Sequence, residues 1–447
     1  MSPIGILLPN SGPLPRHDHD SRARNPVAQL LRRSLLLAAL RSSHATAQTS
    51  ARSATADPAA RTCVAPQPIL APARIDRDHL LYVEQETVTA QSDGRVLVAG
   101  RPVFLWARRK PSTRAYDLNE QDTLMGMTIT PPSRVRPLPS PIPGRPFAGV
   151  RSAPLPDGWW LVTFAEVIPA PPPVGNRVIA MWAAETDGSA WRALEKLPPV
   201  ADSLFVAEES ELVWRDGRVL LAVPATRDHE RRVVVFARDS GRWSARSHYF
   251  GTANYVAVAS SPSRDILAVV RLDTTERADR NSLFIYSKLP SDSAWSQGYR
   301  LVRGLEHPVR DPILRTDGDL LRLSWRSLSV DQRERTGMFV TLNAMGDSIS
   351  SPASFARDVQ LLYYSARGTH GVWVTSDYGS PASTLRFVER EGSAPPTLTR
   401  ETPTTYRGLV GLAVTKQFAV VIASQVGSLA GDPAVISMIQ SHPWRCQ

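Results

Sequence analysis

The sequence predicts an all-β fold, a β-propeller of four-stranded blades, and three observations carry that prediction. Trp191, Trp243 and Trp295 recur at intervals of 52 residues, each just after a turn: Thr186-Asp-Gly-Ser-Ala-Trp191, Asp239-Ser-Gly-Arg-Trp243 and Ser291-Asp-Ser-Ala-Trp295. Each turn follows a run of β-branched and aromatic residues, 177–184, 232–237 and 282–287, which is how a hairpin reads in sequence. Asp-Gly followed by an apolar strand starts at Asp93, Asp157, Asp216 and Asp317, with looser counterparts starting at Arg264, Thr369 and Lys416. After residue 48 no 3.6-residue periodicity lasts more than a turn or two. Regular short strands without helices, in units near 50 residues, favour a propeller over a sandwich.

Taken in order, the elements begin with a leader. Arg32-Arg33, the apolar run Ser34–Leu40 and Ala45-Thr46-Ala47 have the charged, apolar and small-residue regions of a secretory signal, with cleavage between Ala47 and Gln48. The run is too short to span a bilayer and no later stretch reaches eighteen apolar residues. Residues 1–26 are polar and aperiodic, which points to Val27 as the true start of translation; the Arg pair also resembles a twin-arginine signal. The expectation is a secreted or periplasmic monomer, with 1–47 as leader and 48–447 as one propeller domain. In an oxidising compartment Cys63 and Cys446, the chain's two cysteines, are expected to be bonded to each other.

Units are predicted to begin near residues 79, 147, 207, 254, 307, 358 and 406, which gives seven blades, with six as the alternative. The stretch 131–146, rich in proline, is read as a stiff surface loop. The last unit offers three strands, at 408–414, 418–423 and 434–440. Its outer strand is expected from Cys63–Ala71, so that an N-terminal strand closes the ring and hides two sheet edges.

Charge narrows the function. The chain has 52 basic and 42 acidic residues. Eight arginines and three acids fall in the first 61 residues, leaving 44 bases against 39 acids in the rest. That body has no Arg and aromatic cluster suited to tracking phosphates, so nucleic acid is not an expected partner. No nucleophile elbow, phosphate-binding loop, His-Glu-x-x-His or Cys-x-x-Cys occurs, and no cofactor or metal is expected.

The turns before Trp191, Trp243 and Trp295 resemble the Asp-box turns of sialidase-like and BNR-repeat propellers. His307-Pro-Val-Arg310-Asp311-Pro312, followed by Asp317-Gly and a strand, is similar to the Arg-x-Pro segment that opens a sialidase. The resemblance implies arginines that hold a substrate carboxylate, a Tyr nucleophile paired with a Glu, and an Asp acid/base. Residue by residue it carries over Arg310 alone. Asp311 as an acid, and Tyr363 or Tyr364 on an inner strand, are the accompanying candidates. The leading expectation is an exported, non-catalytic propeller that binds a glycan or another extracytoplasmic protein. A sialidase-type exo-glycosidase acting on acidic sugars is the alternative.

Overall fold

The computed structural model describes residues 67–70 and 79–443, except 107–123, 131–133, 170–175, 201–203, 207–208, 228–229, 274–279, 305–307, 318–319, 330–333, 360, 368–369, 377–382, 393, 405, 416–417 and 430–431. Cys63, Cys446, Ala47 and Gln48 lie outside the described residues, and so does the whole leader.

The described residues form an all-β propeller of antiparallel four-stranded blades. Sheet I comprises His79–Ala90, Val96–Trp106, Leu124–Thr130 and Arg134–Pro139. Sheet II follows with Phe147–Pro154, Trp160–Pro169, Asn176–Thr186 and Trp191–Lys196. Sheet III has a divided inner edge, Leu204–Phe205 and Glu211–Arg215, then Arg218–Arg227, Glu230–Asp239 and Arg242–His248. Sheet IV is Ala253–Ser260, Asp265–Asp273, Arg280–Lys288 and Tyr299–Val302. Sheet V is Val309–Asp317, Leu320–Leu328, Arg335–Leu342 and Ala353–Arg357. Sheet VI is Leu361–Arg367, His370–Ser376, Ser383–Glu391 and Thr397–Thr404. Sheet VII has Tyr406–Val414, Phe418–Leu429 and Asp432–Pro443, and takes its outer strand, Gln67–Leu70, from the other end of the chain. Each sheet's first strand neighbours the first strand of the next, and Tyr406–Val414 neighbours His79–Ala90, so the inner strands close a cycle around a channel.

Period-two alternation builds the core between the sheets. In the second strand of sheet III, Val219 to Val223 are all buried. Val219, Leu221 and Val223 join the core shared with sheet II, while Leu220 and Ala222 join the core shared with sheet IV. A strand buried on both faces must be apolar at every position, which is why these strands read as continuous runs.

Two prolines shape the outline. Pro224 lies in that same strand and brings no N–H to the ladder. The inner edge breaks opposite it: Val206 N still donates to Pro224 O at 2.8 Å, then the chain leaves the ladder and rejoins it at Glu211. Six residues of the stretch expected as a proline-rich loop, Arg134–Pro139, instead form the outer strand of sheet I. An edge strand pairs on one side only, which is where a strand tolerates proline, and its Leu138 is fully buried.

The turn ahead of Trp191 shows how the repeat is fixed. The Asp187 carboxylate accepts hydrogen bonds from Ser189 N at 2.7 Å, Ser189 Oγ at 2.9 Å and Ala190 N at 2.8 Å. Thr186 Oγ1 accepts from Gly188 N at 3.0 Å and donates to Ala190 O at 2.7 Å. Gly188 has φ +90°, and a Cβ there would sit 2.4 Å from Thr128 Cγ2, so glycine is required twice over. Burial alone would push the Asp187 carboxyl up, but the hydrogen bonds from Ala190 and Ser189 and the nearby Arg95 hold it below its ordinary value of 3.8. A carboxyl depressed on folding stabilises the fold at neutral pH, and that contribution disappears as pH falls below 3.8. Asp187→Ala is therefore expected to cost about 1–2 kcal/mol at pH 7 and clearly less at pH 3. Urea unfolding of both proteins at the two pH values checks this; an equal difference at both would assign the effect to packing.

Candidate functional site at the channel mouth

At the entry to the inner strand of sheet V the ladder is interrupted. Arg310 pairs with Arg326 and the next pair is Ile313 with Ser324. Within this bulge Asp311 adopts φ +48° and Pro312, buried, supplies no N–H. Bulges re-aim side chains, and here the Asp311 carboxylate meets the guanidinium of Arg326, accepting from its Nε at 2.5 Å and pairing with its Nη2. Arg326 comes from the far end of the neighbouring strand.

The inner strand of sheet IV enters beside it. A register shift between Ala253 and Tyr255 carries Asn254 out of the ladder, where its amide donates to Asn281 Oδ1 at 2.7 Å. Tyr255 is half-buried against the core formed by sheets IV and V. Burial raises its phenol above the ordinary value of 10; Asp311 and Glu209 raise it further, and Arg310 and Arg326 oppose them. One phenol thus lies in the combined field of two carboxylates and two guanidinium groups. Glu209 is placed there by the break opposite Pro224, in the segment that leaves the ladder of sheet III.

The adjoining stretch of channel wall is also charged. Arg315 of sheet V pairs with Glu211 of sheet III, reaching past sheet IV between them. Arg151 of sheet II donates from Nε to Ser210 O at 2.6 Å, next to that same glutamate. Sheets II, III and V are therefore tied together along the channel by arginines.

Of the four residues picked from sequence, Arg310 and Asp311 lie at the entry to the inner strand of sheet V, and Tyr363 and Tyr364 lie on the adjoining inner strand of sheet VI. Tyr364 is 4% exposed and stacks on Trp373 at 4.6 Å between ring centres, which makes it core and corrects the expectation of a channel-facing phenol. Tyr363, its neighbour on the opposite strand face, is half-buried. Sequence reasoning missed Tyr255, Glu209 and Arg326. A signal for Tyr255 existed: units starting near 254 and 307 put residues 255 and 310 near the entries of adjacent inner strands. Nothing comparable pointed to Glu209, whose position depends on Pro224.

Among the described residues no group of three or more His, Cys, Asp or Glu side chains is placed to hold a metal ion, and no helix is long and apolar enough to cross a membrane.

No family model and no curated protein matches the chain. Solved structures with a similar arrangement include the α-L-arabinofuranosidase Arb93A from Fusarium graminearum, at 13% identity and a TM-score of 0.42 over 65% of this chain and 91% of that one. The NanB sialidase from Streptococcus pneumoniae aligns at 9% identity and TM-score 0.44, over 67% of this chain and 68% of that one. The polysaccharide lyase Uly1 aligns at 11% identity and TM-score 0.43, over 83% and 89%. The three differ in reaction, and likeness at this level assigns none of them to the chain.

Proposed function

We propose that the channel mouth, in a ring read as seven blades, binds the carboxylate of an acidic sugar and hydrolyses its glycosidic bond. The observation that carries this reading is the bulge that sets Arg310 and Asp311 at the entry to the inner strand of sheet V, with the half-buried Tyr255 of the adjoining inner strand in the field of Asp311, Arg310, Glu209 and Arg326. A carboxylate nucleophile would repel an anionic substrate, whereas a neutral phenol would not. In this reading Arg310 grips the substrate carboxylate and Tyr255 attacks the anomeric carbon as Glu209 takes its proton, the bond to the leaving oxygen breaking as that oxygen takes a proton from Asp311. Water, losing its proton to Asp311, then displaces the sugar from Tyr255, and Glu209 returns the phenol's proton. Arg310 is the guanidinium available for the grip, since Arg326 is committed to Asp311.

A second reading, a binding scaffold without catalysis, is favoured by those same pairs: Arg326 with Asp311 and Arg315 with Glu211 neutralise each other in place. Calorimetry with N-acetylneuraminate separates the outcomes. Arg310→Ala is expected to weaken binding by about 1.5–3 kcal/mol, the size of a hydrogen bond to a charged group, while thermal unfolding stays put. No binding by the unaltered protein, or an equal affinity of the variant, ends the assignment of the mouth. Binding without turnover of an aryl glycoside of the same sugar leaves the scaffold reading.

A further inference from the structure

The three periodic tryptophans do not all finish their contacts. Trp191 Nε1 donates to Pro139 O on the outer strand of sheet I at 2.7 Å, and Trp243 Nε1 donates to Glu195 Oε1 on the outer strand of sheet II at 2.7 Å. Trp295 repeats the arrangement against the outer strand of sheet III, with His248 at 6.4 Å and Phe250 at 6.3 Å between ring centres. Its buried Nε1 has no acceptor among the described residues. A buried donor left unmade is costly and calls for an explanation.

Where the third contact is missing a cleft of about 610 Å³ opens between sheets III and IV. That volume is in the range of small-molecule sites. His248, Phe250, Tyr286 and Trp295 give it aromatic walls, and Thr252 and Gln297 contribute polar groups. Its described lining contains Arg271 and no acidic residue. Arg271 spends Nη1 on Phe250 O at 2.5 Å and lies over the ring of Phe284 at 3.7 Å, which fixes its orientation. Arg246 and Lys288 add positive charge beside His248, whose proton is disfavoured first by burial and then by these two cations.

We propose that this cleft binds a carboxylate-bearing sugar ring of monosaccharide size, its carboxylate taken by Arg271 and its acceptor oxygens satisfying the indole N–H of Trp295. An anion fits Arg271, which faces no carboxylate in the described lining. Hydroxyl and amide side chains around aromatic walls fit a sugar better than an aromatic acid. The cleft lies on outer strands and is independent of the reading of the channel mouth.

The test follows tryptophan indole N–H resonances in the full protein as sodium glucuronate is added, with glucose and benzoate in parallel and Trp295→Phe assigning the Trp295 signal. Glucuronate is expected to move that signal to the hydrogen-bonded range at concentrations where glucose leaves it in place. Trp295→Phe, which keeps a ring and loses the donor, and Arg271→Gln are each expected to weaken glucuronate about tenfold or more while the remaining indole signals hold position. A Trp295 signal unmoved by saturating glucuronate, or moved equally by glucose, overturns the proposal. Benzoate shifting it where glucuronate does not would overturn the sugar assignment. Should Arg271→Gln disturb the other indoles, Trp295→Phe decides alone, and unchanged affinity in that variant refutes the site.

Discussion

Tyr255→Phe is expected to abolish turnover of an aryl glycoside of N-acetylneuraminate, by about 10³-fold or more, the scale on which removing a nucleophile acts, with little change in binding of the free sugar. The substitution removes one oxygen and keeps the ring against the core of sheets IV and V, so stability should stay within about 0.5 kcal/mol. The phenol sits above its ordinary value of 10 because burial, Asp311 and Glu209 all disfavour the phenolate. At neutral pH it is therefore a neutral hydroxyl, and attack requires that its proton leave as the new bond forms, which is the part assigned to Glu209. Single-turnover and steady-state rates of the two proteins check this. A variant that turns over at the original rate removes Tyr255 from the chemistry, whatever the mouth binds.

Asp265→Ala is expected to destabilise the fold by about 3–5 kcal/mol, the usual cost of removing one partner from a buried ion pair. Asp265 is fully buried at the start of the second strand of sheet IV. Arg218 reaches it from sheet III with two hydrogen bonds of 3.0 Å, Lys288 Nζ lies at 3.0 Å, and Ser260 Oγ donates at 3.1 Å. Removing the carboxylate leaves two cations facing each other between sheets. Arg218 keeps a contact with the exposed Asp239 at 3.2 Å, which offsets part of the loss. Denaturant unfolding measures the effect, and a change below about 1 kcal/mol would show that solvent already screens the group. Asp265→Ala paired with Arg218→Met should cost less than the sum of the two single changes, because the stranded guanidinium is then gone as well.

Local signals carried much of this architecture. Asp-Gly and Trp turns mark where strands reverse, because those residues adopt turn conformations at little cost, as Gly188 does. Apolar runs mark strands buried on both faces, as in Val219–Val223. The closing strand was legible too: the last unit offers three strands, and Gln67–Leu70, within the segment expected to supply the fourth, pairs with Asp432–Pro443. The proline-rich stretch was not legible, because an outer strand needs hydrogen bonds on one side only and local composition does not reveal which side is bare.

The site divides along the same line. By itself the sequence determined that an Arg-Asp-Pro segment stands at the entry to an inner strand, since proline and the strand that follows are local features. Only the tertiary structure decided what faces it. Tyr255, Glu209 and Arg326 converge there because neighbouring sheets bring inner strands side by side, and because Pro224 breaks a ladder in sheet III and frees Glu209 from it. The same holds for Asp265, which in sequence is one more turn residue and in the fold is the anion between Arg218 and Lys288. Strand propensity acts over a few residues, whereas these contacts join positions some 20 to 100 apart, and no local pattern encodes which distant strand lands opposite.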